Sequence, residues 1–365
     1  MGNLFAVADQ FKPQGRVIDI QEFGMGNINN TFLVTLDSNV EKHFILQRIN
    51  TQVFRQPELV IRNMRICTEH IRRRLQRFSL SAGRRWEVPS VLSARYGRDL
   101  WIDSDGSFWR AISFIKGSQS FDTIKDINNA CEIGYALGIF HTLLSDMSPD
   151  RLSDTLKGFH ITPLYLRHYE EVLAKYNVGK SPEVNYCLQF IRERDVWAHV
   201  LENARAQGIL SLRPIHGDPK INNFMIDKVT GHAISIVDLD TVKPGLVHYD
   251  IGDCLRSGCN TLGEETEQWE KVYFQPDLCK AILQGYLSMA REFLTVNDFF
   301  YMYDSIRLIA FELGLRFFTD YLKGNVYFKI KHPQHNLVRA LVQFKLTESI
   351  ETQETAIRNI IREIR

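Results

Sequence analysis

Cysteine is scarce in this chain, and none of it sits in a pattern that frames disulfides or binds metal. The six cysteines, at 67, 131, 187, 254, 259 and 279, include no C-x-x-C pair. That fits reduced structural thiols in a cytoplasm better than a disulfide scaffold or a zinc site. A charge excess of either sign is also lacking: 44 Lys and Arg against 43 Asp and Glu give a formal +1. No broad nucleic-acid-binding surface is therefore expected, and no nucleic-acid partner. No apolar run nears the roughly 20 residues that span a bilayer, so no membrane partner is expected either. The opening MGNLFAVADQFKPQG has no signal-peptide pattern, and Ala6 stands where myristoylation asks for Ser or Thr. Internal repeats, low-complexity tracts and Pro/Gly/Ser linkers are missing as well. At 365 residues the expectation is two sizeable lobes joined by a short hinge.

What is present concentrates in Ile215 to Asp240, IHGDPKINNFMIDKVTGHAISIVDLD. Phosphoryl transfer needs an acceptor for the substrate hydroxyl proton, oxygen ligands for Mg²⁺, and positive charge near the transferred phosphate. In a loop of the H-x-D-x-x-x-x-N form, the Asp faces the hydroxyl and the Asn turns back towards a metal ion. Those residues here are Asp218 and Asn223. Lys220 stands where an ammonium reaches the γ-phosphate. A hairpin of two strands, Phe224–Ile226 and Ala233–Val237, then delivers Asp238 as the second metal-binding carboxylate. Either fragment alone is an ordinary turn or a polar strand end; jointly, in this order, they point to a kinase.

This segment resembles the catalytic segment of the aminoglycoside phosphotransferase and choline kinase superfamily. More narrowly, HGDPKINNFMIDKVTGHAISIVDLDTVKPG followed by YDIGDCLRSG resembles the bacterial N-acetylhexosamine 1-kinases. That similarity runs from FGMGNINNTFLVT to LRFFTDYLKGNVYFKIKHPQHNLVR, nearly the whole chain. The resemblance implies an α+β, bilobal, protein-kinase-like fold. A small antiparallel-sheet N-lobe (1–115) would bind nucleotide, and a larger, mostly helical C-lobe (116–365) would carry the catalytic loop and the acceptor site.

Along the N-lobe, Val17–Glu22 and Asn30–Leu36 read as strands joined by Phe23–Asn30. Gly24 and Gly26 in that turn let the backbone approach phosphates, while Asn27, Asn29 and Thr31 add side-chain dipoles. A two-glycine turn alone is weak evidence. His43–Ile49 reads as the third strand, where the resembling superfamily has a phosphate-holding Lys. This chain has Gln47 and Arg48, of which one faces the cleft; alignment of ILQ with the family pattern favours Gln47, which leaves the nucleotide clamp without its usual cation. Gln56–Arg77 repeats apolar residues (Leu59, Met64, Ile71, Leu75) at helical spacing. Glu69 reads as solvated and Arg72–Arg74 as a charged face. The strand Phe108–Ile115 runs into the hinge, where backbone groups at Phe114 and Ile115 are placed against an adenine edge.

In the C-lobe, Ile127–Met147 carries a stripe of Ile133, Leu137, Phe140 and Leu144, with His141 packed rather than catalytic. Pro163–Gln207 reads as helical scaffold. Asp240 is either a second carboxylate near the metal or a solvated turn residue. By the resemblance, Asp250 and His216 shape the catalytic loop. Tyr301–Tyr321 is apolar at helical spacing. In the resembling sugar kinases the Arg and Tyr of R-F-x-x-D-Y-L-x-G-x-x-Y contact the hexosamine, which carries over to Arg316 and Tyr327. Without the resemblance, a surface Arg and a core Tyr serve equally well. From Lys323 onward eight Lys and Arg face four Asp and Glu, which argues against a polycationic aminoglycoside acceptor.

The expectation is a cytoplasmic kinase using ATP and Mg²⁺ to phosphorylate the anomeric hydroxyl of a small-molecule sugar, an N-acetylhexosamine. Asp218 and Lys220 would be catalytic, Asn223 and Asp238 would hold Mg²⁺, and Asp218, Arg316 and Tyr327 would meet the acceptor. The rivals are a kinase of another sugar, choline-like or aminoglycoside acceptor, and an inactive nucleotide-binding module. A protein kinase is disfavoured because no A-P-E-like segment follows Asp238.

Overall fold

A computed structural model describes residues 2–11, 15–24, 28–38, 41–81, 83–176, 179 and 181–365. The N-terminal part opens with a short helix, α1 (Gly2–Ala8), and then a run of antiparallel strands: β1 (Arg16–Glu22), β2 (Asn30–Asp37) and β3 (His43–Arg48). Helix α2 (Pro57–Leu75) follows, then β4 (Val91–Leu92), β5 (Trp101–Ile102) and β6 (Phe108–Ser113). They form one sheet in the order β1-β2-β3-β6-β4, with β5 also paired to β6.

Side-chain alternation gives this sheet two buried faces. Phe44 and Leu46 of β3 and Trp109 and Ala111 of β6 pack with Val7, Ala8 and Phe11 from the start of the chain. Ile45 and Ile112 point the other way, into the main core with α2. Pro57 opens α2 at a position where its missing N–H costs nothing, and Arg72, Arg73 and Arg74 complement its C-terminal dipole. Its buried stripe is Val60, Ile61, Met64, Cys67 and Ile71, each side chain contributing roughly 1.5–3 kcal/mol if wholly removed from water. Leu59 and Leu75, expected on the stripe, lie half-buried at its edges.

The rest is mainly helical. After β7 (Ser118–Gln119) come α3 (Ile127–Leu144), α4 (Thr162–Lys175), α5 (Pro182–Arg192) and α6 (Val200–Ala206). Strands β8 (Arg213–Ile215), β9 (Phe224–Asp227), β10 (Ala233–Ile236) and β11 (Lys243–Gly245) interrupt the helices. Helices α7 (Val247–Gly258), α8 (Pro276–Ala290), α9 (Val296–Phe300), α10 (Met302–Leu322), α11 (His335–Thr352) and α12 (Glu354–Ile364) complete the chain. α3 begins at Asp126, whose side chain accepts from the Asn129 amide at 2.8 Å. Where the spacing predicts one apolar stripe, α3 is buried on most sides, Tyr135, Ala136, Ile139 and Leu143 included. No helix among the described residues is long and apolar enough to cross a membrane.

Two small sheets position the loops. β8 pairs with β11, Ile215 opposite Lys243, so the segments leaving and re-entering them are held side by side. β9 and β10 form the expected hairpin, and β7, which follows the end of the large sheet, adds to it as a third strand.

Candidate active site

The loop after β8 is fixed from three directions. Asp250, on α7, accepts the His216 amide at Oδ2 (2.7 Å) and the Gly217 amide at Oδ1 (2.8 Å). Burial would raise this carboxyl, but the His141 imidazole, 2.9 Å away, and the two amides hold it below its ordinary value. His216 donates from Nε2 to the Val237 carbonyl (2.9 Å) and accepts the Asp218 amide at Nδ1 (3.2 Å). This pattern is that of a neutral imidazole, and burial lowers its pKa accordingly. Gly217 has φ +86°, and a Cβ there would lie 2.8 Å from the Thr241 carbonyl oxygen, so the turn requires glycine. On the third side, His160 donates from Nε2 to the Gly217 carbonyl at 2.7 Å.

Asp218, Lys220 and Asn223 converge on this loop. Lys220 Nζ donates to Asp218 Oδ2 at 2.8 Å. Asn223 Nδ2 donates to the Asp218 carbonyl at 2.7 Å, leaving its amide oxygen for another partner. Burial by itself would raise the Asp218 carboxyl; the Lys220 ammonium outweighs it and keeps the pKa low. Asp238 follows β10 in a left-handed conformation (φ +63°) that non-glycine residues seldom adopt. Its side chain is open to solvent, yet desolvation by the surrounding protein, with the Asp240 and Asp218 carboxylates nearby, pushes its carboxyl up to about 6. Among the described residues no three His, Cys, Asp or Glu side chains form a complete metal cage. One carboxylate at Asp238 and one amide oxygen at Asn223 match Mg²⁺ chemistry, in which one or two protein oxygens are completed by substrate phosphates and water.

On the sheet side, Gly24 has φ +77° and open space around it; Gly26 and Asn27 lie outside the described residues. Asn29 is buried and donates from Nδ2 to Asp240 Oδ2 at 2.5 Å. Thr31 accepts from Gln47 Nε2 at 3.0 Å. Arg48 is exposed and bonded to Asn30 (2.9 Å), so it is Gln47 that turns inward. Opposite Gln47 on β6 stands Arg110, a cation the sequence reading passed over. It has no exposed surface, donates to Gln47 Oε1 from Nε (2.9 Å) and Nη2 (2.7 Å), and pairs with Asp240. Asp240 is therefore no solvated turn residue. A lone Arg in an otherwise apolar strand, WRAISF, was the available signal. At the end of β6, the Phe114 ring meets Phe23 and His43 edge-on, and the Ile115 carbonyl accepts from Ser118 Oγ at 2.7 Å.

On the far side, α10 carries Glu312 and Arg316. Arg316 lies over Tyr165, Phe159 and Phe328, 5.0, 5.2 and 5.5 Å from the ring centroids. Among the described residues it makes no ion pair at contact distance; burial opposes its charge, while Tyr165, Tyr327, the Glu312 carboxylate and, more weakly, Asp218 favour it. Tyr327 is half exposed at 52%. Its turn is organised by Asp320, which accepts the amides of Val326 (3.0 Å), Tyr327 (2.8 Å) and Phe328 (2.9 Å). The D of the R-F-x-x-D-Y pattern thus does backbone work that only the folded turn reveals.

This sheet-plus-helices arrangement around one acidic loop is protein-kinase-like. A profile of the phosphotransferase enzyme family matches residues 19–287. The chain belongs to that family. Among solved structures it is similar to a microcompartment-associated aminopropanol kinase, at 16% identity and TM-score 0.63, with 97% of this chain and 98% of that one covered. It is similar to a choline kinase from Cryptosporidium parvum at 14% identity and TM-score 0.59, covering 94% and 91%. A third is an aminoglycoside phosphotransferase from Alicyclobacillus acidocaldarius, at 15% identity and TM-score 0.58, covering 98% and 95%. At these identities the likeness establishes the fold.

Proposed function

We propose that this phosphotransferase is an ATP-dependent kinase of the anomeric hydroxyl of an N-acetylhexosamine. The chain would divide after residue 115, with nucleotide held between the two parts and Phe114 and Ile115 at the hinge. The observation that carries the acceptor reading is Arg316: a guanidinium framed by three aromatic faces, free of a carboxylate at contact distance among the described residues, and within the field of Glu312 and, more weakly, Asp218. Such a group suits a neutral acceptor that offers hydroxyl and acetamide oxygens, and repels a cationic amine. Tyr327, fixed through Asp320, supplies a half-exposed ring beside it.

In this reading Asp218, held ionised by Lys220, takes the proton from the acceptor hydroxyl as the new O–P bond forms and the bond from the γ-phosphorus to the bridging oxygen breaks, releasing ADP. Lys220 offsets charge on the transferred phosphoryl group. Asn223 and Asp238 would hold Mg²⁺, which supplies charge neutralisation on the phosphates. Gly24, Asn29, Thr31 and Gln47 would border the phosphates. Rate acceleration comes from positioning and electrostatics, with no covalent intermediate.

Steady-state ADP release with acceptor pairs differing in one group tests this. N-acetylglucosamine should turn over at least about tenfold more efficiently than glucosamine or choline, the magnitude of one well-made charge-assisted contact. Preference for the amines would transfer the protein to the amino-alcohol or aminoglycoside class.

A further inference from the structure

The amide of Gln47 stands where a strand lysine is expected, and its oxygen is taken by the guanidinium of Arg110, directly opposite on β6. That guanidinium is wholly buried, and among the described residues its Nη1 has no acceptor. A cation removed from water this completely is retained only where its other donors are well met. Here Gln47 accepts from Nε and Nη2, and the charge is paired with Asp240, itself 3% exposed. Asp240 also accepts from Asn29, whose Oδ1 accepts the Asn50 amide at 2.9 Å. One cation therefore joins β3, β6, the turn before β2, and the turn that carries Asp238. The strained φ of Asp238 lies two residues from this anchor, the kind of setting in which an unfavourable backbone conformation persists.

We propose that Arg110 takes over, from the neighbouring strand, the work of the missing lysine. It is a positioning residue: by holding Asp240, Asn29 and Gln47 it fixes the Asn29 turn and the Asp238 turn against each other, and so sets how tightly the polyphosphate of a nucleotide and its cation are bound. The inference rests on the nucleotide-kinase reading above and adds to it a residue and a role.

Calorimetry on the full chain with Mg·ADP and with adenosine separates phosphate-dependent from merely structural effects. R110Q should weaken Mg·ADP by roughly tenfold or more while adenosine stays within about twofold of wild type. R110Q/Q47K, which returns an ammonium to the opposite strand position, should recover Mg·ADP to within about threefold of wild type. Should R110Q not fold, D240N, which keeps the side-chain volume, is expected to give the same selective loss. Equal weakening of both ligands, no weakening, or no recovery in R110Q/Q47K overturns the assignment. A wild-type protein that binds neither ligand would instead sink the kinase reading itself; wild-type binding beside an insensitive R110Q sinks this inference alone.

Discussion

His160 and Glu312 form a buried pair, Nδ1 to Oε1 at 2.9 Å, that ties the helix carrying Arg316 to the loop carrying Asp218. The second imidazole nitrogen reaches the Gly217 carbonyl, so both ring nitrogens donate and the ring is an imidazolium. Burial opposes that charge, but Glu312, with Asp253 beyond it, more than offsets the opposition and raises the His160 pKa above its ordinary 6.5. Glu312 is correspondingly lowered from 4.5: burial raises it, and His160 outweighs burial.

The sign of the pH effect follows. The His160 contribution is complete below about pH 6.5 and is lost as pH rises through its higher folded value; the Glu312 contribution is complete above about pH 4.5 and is lost as pH falls through its lower folded value. The melting temperature of wild type minus that of E312Q should therefore be largest near pH 6 and shrink by roughly 2 °C or more towards pH 9. A gap that stays constant over this range would mean the pair is not ionised.

Lys220 holds Asp218 ionised. K220M should move the acid limb of the kcat/KM profile to higher pH, because a carboxyl relieved of its neighbouring cation needs a higher pH to lose its proton. D218N should retain nucleotide binding and lose roughly 10²–10⁴-fold in kcat. Turnover within about tenfold of wild type would remove Asp218 from the base role.

Replacing Arg316 separates acceptor from nucleotide. R316M preserves most of the side-chain volume between the three rings and should raise the KM for N-acetylglucosamine by roughly tenfold or more, with the KM for ATP unchanged. A parallel rise in both constants would show that Arg316 supports the fold and not the acceptor.

Asp320 satisfies three amides of the 326–328 turn and also accepts from Asn336 Nδ2 at 3.0 Å. D320A should cost about 2–4 kcal/mol of stability, as expected when buried donors lose a charged acceptor. Chemical denaturation measures this directly; a loss below about 0.5 kcal/mol would mean that the turn stands without its carboxylate.

Much of the fold was legible because it rests on local pattern. Alternation marked β1, β2, β3 and β6, and HGDPKINN with VDLD marked the loop and hairpin on which Asp218, Lys220 and Asn223 converge. β7 was not legible: Ser118–Gln119 is two residues long and is a strand by pairing with β9. The β8 and β11 pair escaped for the same reason, since Arg213–Ile215 and Lys243–Gly245 are short and meet across the loop they bracket. Arg110, His160 and Glu312 are long-range partners, 130, 57 and 95 residues from what they hold (Asp240, Gly217, and Gly217 through His160), and no local periodicity encodes such pairings. Alternation on β3 offers only Gln47 or Arg48 to the cleft, whereas the buried cation, Arg110, stands on the neighbouring strand β6, a consequence of register.

Phosphorus NMR on the purified protein with ATP, Mg²⁺ and N-acetylglucosamine, N-acetylgalactosamine, glucose, galactose, choline and an aminoglycoside offered singly tests the central claim most directly. The account predicts a new phosphomonoester signal coupled to the anomeric proton with the N-acetyl sugars, growing as ATP is converted to ADP. Phosphate on choline or the aminoglycoside, with the N-acetyl sugars unreacted, would contradict it.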